Sequence, residues 1–496
     1  MNEGRIWLAA GLAALVLAAP VAFGSTERIA CLALSLGFSC LALAALAAGA
    51  RPSGSWPMAL LLILPCAQLV PLPAGLLAAI SPQAGRLHTL AAETTGPDRA
   101  ATSWRPVSLD PDATLTGVLL LGSAASLFGV ARFCLTHPAV RRLLAGLLVA
   151  TGMFEASYGL AGHLGGSQEI LGWRKTHYLD SATGTFVNRN HYAGYLEMTL
   201  MVSLGILIAL SGRADGVRRG GTSGHRLARL VVLSTPRGGA ALLLAIATCV
   251  MVAGLLFSRS RAGIVSAGVG LCVLTILSGR GKARRFAMSL IAIVVIVGAL
   301  YAVAAGAEPL MSRFDRTMQD LTGSQGRLPL WGDAARSAAA FAATGSGLLA
   351  FEQVFPALRT REDPQLRRHA HNDYLEVAAE LGLPGLALAL LLVARFFRET
   401  LRGSPPALGV CPSNGSGPSH YSDTLLDGAD ALLAQGCALG GVAAAAALAF
   451  HSFFDFNLHV PANLLTLSLV CALALPAPRL LSRRPQHSIG PVPVPS

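Results

Sequence analysis

Charge is what this chain has least of. Only 13% of its 496 residues are Asp, Glu, Lys or Arg while 53% are hydrophobic, a balance that excludes a soluble one- or two-domain enzyme. Lysine is nearly missing: apart from Lys175 and Lys282 every cation is arginine, whose planar fork suits phosphate and carboxylate. Matched cysteines are missing as well. Nine is an odd number, no CxxC zinc pattern occurs, and Cys31, Cys40, Cys66, Cys249, Cys272, Cys437 and Cys471 sit inside apolar runs as small hydrophobes, so no disulfide framework is expected.

What the chain does have is long apolar runs. A hydrocarbon layer of about 30 Å needs about 20 apolar residues per helix, and such runs lie near 6–24, 29–49, 57–79, 113–133, 143–163, 192–211, 240–257, 262–278, 286–306, 381–396, 431–454 and 462–478. The first has the look of a signal peptide, but the runs that follow make it a first span. The third contains Pro65, Pro71 and Pro73, residues that interrupt helices. With the N-terminus inside, the inner segments are strongly basic, including Arg218, Arg219, Arg226, Arg229, Arg280, Lys282, Arg284 and Arg285, and the outer ones slightly acidic. The expected fold is therefore an all-α polytopic membrane protein of about twelve helices with both termini inside. The net charge of +12 is then mostly a topology signal, and no nucleic-acid partner is expected.

Three longer segments fall outside, about 80–112, 164–191 and 307–380. The last holds Trp331, an alanine-rich stretch at 334 to 343 that reads as helix, and eight arginines, so it is expected to fold as a partly helical external subdomain. The stretch 403–425 and the proline-rich tail after Arg484 have linker composition. The organisation expected is N-terminal helices over 1–180, a membrane domain over 181–478 that includes the 307–380 loop, and an inner tail over 479–496.

With this topology the polar motifs converge on the outer face: Gly184-Thr185-Phe186 with Asn188, Asn190 and His191; Ser258-Arg259-Ser260-Arg261; Arg327 with Trp331; His369 to Tyr374; and Asp455 to His459. Eight of the twelve histidines lie there. Arg259 and Arg261 sit on a tight link between two spans, either as interfacial anchors or with a fork turned inward to an anionic headgroup. Arg327 meets the same anion from above or is a solvated charge. An imidazole titrates near pH 6.5 or so, which makes His371 a candidate general base; the bland alternative is a packing histidine before a helix capped by Asn372 or Asp373. His369-x-His371 has chelating spacing without a third ligand, so no metal is assigned. Glu155 and Glu197 lie toward the outer ends of spans, to pair with these arginines or face water. Asp455, Asn457 and His459 are read as a structural tie.

These motifs resemble the O-antigen ligase and Wzy-type polymerase superfamily of bacterial envelope glycosyltransferases. The resemblance spans about 180 to 470. It rests on His371-Asn372, nine residues, then Gly382-Leu383-Pro384-Gly385, with support from Ser258 to Gly263, Gly326-Arg327 with Trp331, and Gly184 to His191. Thr344 stands where the family often has a proline before the Gly-x-Gly of the large loop. The resemblance implies an inner-membrane enzyme of the C-type glycosyltransferase kind with its site facing the periplasm. It would use a polyprenyl-diphosphate-linked glycan donor and a lipid or glycan acceptor, and need no cofactor. Arg261 (or Arg259) and Arg327 resemble the diphosphate-binding arginines and His371 the histidine at the acceptor hydroxyl. His369, Asn372, Asn188, His191 and Trp331 are grouped with them as substrate-binding. Ligase, polymerase and protein oligosaccharyltransferase share these motifs, with ligase favoured by the intact His-Asn-x(9)-Gly pattern. A lipid or solute transporter would show an internal repeat, which is not seen.

Overall fold

The computed structural model describes residues 3–50, 56–95, 104–211, 236–279, 326–360, 367–403 and 428–476, with a few single positions between 285 and 322. The expected span at 286–306, the inner loop at 403–425 and the tail lie almost wholly outside the described residues.

The described elements are helices, apart from two short hairpins, Leu72–Pro73 with Trp104–Arg105 and Glu169–Ile170 with Trp173–Arg174. Eight helices are long and apolar enough to cross a membrane. They are α1 (Glu3–Val21), α2 (Arg28–Ala47), α6 (Pro111–Cys134), α7 (Pro138–Leu164), α8 (Arg189–Ser211), α9 (Pro236–Phe257), α13 (Asp373–Gly403) and α14 (Gly428–His451). Three shorter apolar helices join them: α3 (Trp56–Gln68), α10 (Arg261–Leu277) and α15 (Pro461–Ala474). The chain is an all-α polytopic membrane protein.

The third apolar run is not one span. α3 stops at Gln68, the chain then passes through Leu72–Pro73, and a separate short helix, α4 (Ala74–Ile80), begins. The reason is Pro71 and Pro73, which lack the N–H that a continuing helix needs. Helix α5 (Pro82–Thr95) follows.

α8 is the axis of the bundle, buried along almost its whole length. It crosses α14 at backbone contact: a Cβ at Gly205 would lie 2.4 Å from the Gly436 carbonyl oxygen, and one at Gly440 would lie 2.5 Å from that of Met201. Small residues let two membrane helices approach this closely. At the far end of the bundle, arginines satisfy the last carbonyls of α15. Arg132 donates to Ala472 O at 3.2 Å and Leu475 O at 3.1 Å, and Arg141 to Leu473 O at 2.6 Å, where a helix leaves acceptors unpaired and favours a cation.

At the opposite end a small subdomain caps the bundle. Helices α11 (Arg327–Ala340) and α12 (Phe351–Leu358) pack on α4, α5 and the start of α13 through Leu77, Ala84, Phe341 and Val354 on one side and Leu330, Phe351, Phe355 and Ala378 on the other. The helix expected from alanines 334 to 343 is α11. Gln68 locks this cap: its amide donates to Thr344 O and Glu380 O, each at 2.7 Å, and its oxygen accepts from Leu348 N at 3.2 Å. The turn it holds needs Gly345, at φ +69°, where a Cβ would stand 2.0 Å from Glu380 O. Thr344 bonds Ser81 Oγ at 2.9 Å. Gly382, at φ 69° and ψ 179°, breaks α13 so that its first turns belong to the cap and the rest to the bundle.

Candidate active site

The cap, the start of α8, the start of α10 and the link between α14 and α15 meet at one end of the bundle, and the polar motifs gather there. α14 ends at His451, and the link that follows carries Phe456, around which three imidazoles are set. His369 stacks on its face at 3.7 Å with 12° between planes, His191 meets it edge-on at 4.6 Å, and His371 does so at 5.1 Å. The preceding residue, Asp455, is fully buried. Its Oδ1 accepts from His371 Nδ1 at 3.0 Å and from Phe456 N at 2.9 Å, with His191 Nε2 at 4.0 Å.

Burial pushes the Asp455 carboxyl up, but the hydrogen bond and charge of His371, with the charges of His191 and His451, outweigh it and hold Asp455 well below the usual carboxylate range. An ionised Asp455 cannot donate, so the shared hydrogen sits on His371 Nδ1, and Nε2 is the nitrogen that faces away from Asp455 and accepts a proton whenever the ring is neutral. His371 keeps 30% of its side chain exposed, enough for a substrate hydroxyl to reach it. Its backbone is held at φ 48°, a strained conformation that costs about 1–3 kcal/mol. The next residue, Asn372, caps α13 as expected, its Oδ1 accepting from Tyr374 N and Leu375 N at 3.1 Å each.

The expected tie at Asp455 to His459 is real only in part: Asn457 bonds Asn463 at 2.9 Å, whereas Asp455 serves His371 and His459 is gripped by carboxylates. His459 Nδ1 donates to Asp373 Oδ1 at 2.8 Å and Nε2 to Glu380 Oε2 at 3.3 Å, with Glu376 Oε1 at 3.6 Å. Burial alone would lower the pKa of His459; the charge of Glu376 and the bonds to Asp373 and Glu380 raise it well above the ordinary imidazole value.

Glu376, Glu380 and His459 present ligand atoms within 4.8 Å of one another, a spacing a cation can use. Their oxygens are already taken. Glu376 accepts from His369 Nδ1 at 2.6 Å and Ala370 N at 2.8 Å, and Glu380 from Phe351 N at 3.2 Å and His459, so the chemistry of the cluster is that of a hydrogen-bonded clasp. His369 and His371 do not chelate together, because one turns to Glu376 and the other to Asp455.

Arg259 and Arg261 part company. Arg259, at φ 55°, pairs with Asp180 at 2.9 Å, while Arg261 is exposed as the first residue of α10, behind Ser260, which caps that helix through Gly263 N at 3.2 Å. Burial pushes the Asp180 carboxyl up, but the hydrogen bonds from Ser181 and Arg259 and the charges of Arg259 and Arg189 outweigh it and hold it below the usual carboxylate value. Arg327 is the first residue of α11, and on the same helix Trp331 packs 6.2 Å from Phe454, its Nε1 buried without a partner among the described residues. Asn188 Oδ1 accepts from Asn190 N at 2.8 Å and its amide lies 3.4 Å from His191 Nε2.

Neither glutamate of the spans pairs with these arginines. Glu155 accepts from Thr185 N and Oγ1 at 2.8 Å each, and Glu197 meets His451 Nδ1 at 3.2 Å, all four side chains being buried. Burial excludes water, so both carboxylates take the nearest internal donor.

The family described as O-antigen ligase matches residues 240–390. This supports membership of the O-antigen ligase and Wzy-type superfamily, and the matched stretch contains Arg261, Arg327, His371 and Asn372. No curated protein matches the chain.

Proposed function

We propose that this O-antigen ligase-like chain is a glycosyltransferase that moves a glycan from a polyprenyl-diphosphate carrier to an acceptor hydroxyl, most simply lipid A-core, at the periplasmic face of the inner membrane. In this reading the acceptor oxygen attacks the anomeric carbon of the donor as its proton passes to His371 Nε2. The bond from that carbon to the diphosphate oxygen breaks, and the electron pair leaves with the diphosphate. Asp455 holds the His371 tautomer and stabilises the imidazolium that forms. Arg261 and Arg327 gain contacts as charge builds on the leaving group, which lowers the barrier without a metal. His369, His191, Asn188, Asn372 and Trp331 shape the acceptor side, and attack opposite the leaving group inverts the anomeric centre.

The observation that carries this reading is the hydrogen bond between His371 and the buried, ionised Asp455, at the same end of the bundle as the starts of α10 and α11. Purified protein incubated with a polyprenyl-diphosphate glycan and either lipid A-core or a second donor tests it by product mass. Glycan on lipid A-core is the expected result; elongated lipid-linked glycan makes the chain a polymerase, glycan on a protein acceptor an oligosaccharyltransferase. Lipid flux across a vesicle with no new glycosidic bond would overturn the assignment in favour of a transporter.

A further inference from the structure

One buried pair of acid and imidazole stands next to the site without a part in the transfer chemistry. His451 closes α14 and Glu197 lies on α8, both side chains fully enclosed, with His451 Nδ1 3.2 Å from each Glu197 oxygen. The helical path of α14 runs on past His451, because Phe454 N and Asp455 N donate to its carbonyl oxygen at 2.8 and 3.1 Å. Residues four apart on such a turn lie on one face, so His451 and Asp455 are neighbours there.

Two atoms on that face are left over. Asp455 Oδ1 accepts from His371 Nδ1 and Phe456 N, while its Oδ2 is buried with no partner among the described residues. His451 Nδ1 is taken by Glu197, while its Nε2 is likewise buried without a partner. Oδ2 is an acceptor, and charge balance makes Nε2 a donor. A buried pair with a net charge is costly, and a neutral Glu197 with His451 has two arrangements. Either a carboxylate faces an imidazolium, or a carboxylic acid donates to Nδ1 of a neutral ring. Nε2 bears a hydrogen in both.

The other groups around this turn are already engaged or turned elsewhere. Asp373, at the start of α13, accepts from Ser452 Oγ at 2.8 Å and from His459 Nδ1. His191 of α8 stands 4.0 Å from Oδ1 of Asp455, not Oδ2. The Tyr178 hydroxyl, in the segment before α8, feels the Asp455 charge. α10 meets the His451 ring at Gly263, two residues past Arg261, where a Cβ would stand 3.5 Å from Cε1.

We infer that His451, oriented by Glu197, is a positioning residue for the transfer, its Nε2–H reaching Asp455 Oδ2 through one internal water. That water accepts from Nε2 and donates to Oδ2, a role that suits a polar, enclosed place. With both oxygens hydrogen-bonded, Asp455 pulls less strongly on the hydrogen of His371, so His371 gives up its second proton more readily and is free to act as base. The inference rests on the reading of His371 above and adds the residue that sets its basicity.

The test uses full-length protein with ¹⁵N-labelled histidine in nanodiscs, and needs no substrate for its first readout. In wild type, His451 Nε2 is expected to carry a hydrogen at neutral pH. In His451→Leu, His371 is expected to hold its second proton to a pH about one unit higher than in wild type. Transfer from a polyprenyl-diphosphate glycan should then fall about tenfold on the acid limb of the pH–rate profile and recover on the alkaline side. A merely structural defect would lower the whole profile. His451→Gln, whose amide can donate, is expected to restore part of the shift. A lone pair on His451 Nε2 in wild type overturns the inference, and so does an unshifted His371 in His451→Leu. If an unshifted variant still transfers glycan, the transfer reading survives alone. If His371 shifts but even wild type transfers nothing, the transfer reading falls and the link from His451 to Asp455 stands.

Discussion

The Asp455 carboxylate accepts the Nδ1 hydrogen of His371 at 3.0 Å across 84 residues of chain. Asp455→Asn replaces that acceptor with a group that can present either an amide N–H or an oxygen, and so no longer fixes the tautomer. Transfer is expected to fall by about 10²–10⁴ with little change in donor affinity. Single-turnover rates with saturating donor measure this, and a variant within a factor of two of wild type would remove Asp455 from the reaction.

Arg261→Lys keeps the charge at the start of α10 and loses the fork. Because an ammonium cannot make two parallel bonds to a phosphate, transfer is expected to stay at least ~10-fold below wild type. Steady-state kinetics of the purified variant decide the point; full activity would mean that charge alone is required.

Chelation is expected to leave transfer unchanged, since Glu376 and Glu380 spend their oxygens on His369, Ala370 N, Phe351 N and His459. Activity lost in EDTA and restored by one divalent ion alone would reverse this.

Stability should depend on pH through His459 and Asp455, with opposite signs. His459 has a folded pKa above its unfolded value, so its contribution is complete below about pH 6.5 and is lost as pH rises through the raised value. Asp455 has a depressed folded pKa, so its contribution is complete above about pH 3.9 and is lost only as pH falls toward that low value. Thermal unfolding in detergent should therefore decline on the alkaline side, and His459→Gln should flatten that decline. Parallel slopes for the two proteins would exclude His459 as its source.

Gln68→Ala removes two donated bonds and one accepted bond at the 344–348 turn. Leaving those backbone groups unpaired should cost about 1–3 kcal/mol. Hydrogen exchange over 341–350 should quicken while the far end of the bundle is unaffected; unchanged exchange there would show that the turn stands without Gln68.

Lipid makes the spans legible, because about 20 consecutive apolar residues have few other uses. The proline-broken run at 57–79 was legible for the same local reason. His371, Arg261 and Arg327 could be singled out because they lie in short polar motifs between such runs. Pairings were not legible. Asp455 reads as one residue of a polar link, and only tertiary contact gives it to His371. Glu376 and Glu380 read as ordinary acids one turn apart on a helix until His459 is found between them. Gln68 lies in a stretch without any motif, and its partners are 276 to 312 residues away.

The glycine crossing of α8 and α14 sets a common origin of height for the residues above it. His191 and Glu197 ride on one rod, His451 and the Asp455 link on the other, and Gly205, Gly436 and Gly440 pin the rods together. A single residue inserted between Gly440 and His451 would lift the link by about 1.5 Å and swing it through about 100°, detaching Asp455 from His371 while leaving every side chain in place. Length along that stretch is therefore held as tightly as identity, and a change of count there should be harder to tolerate than most changes of kind.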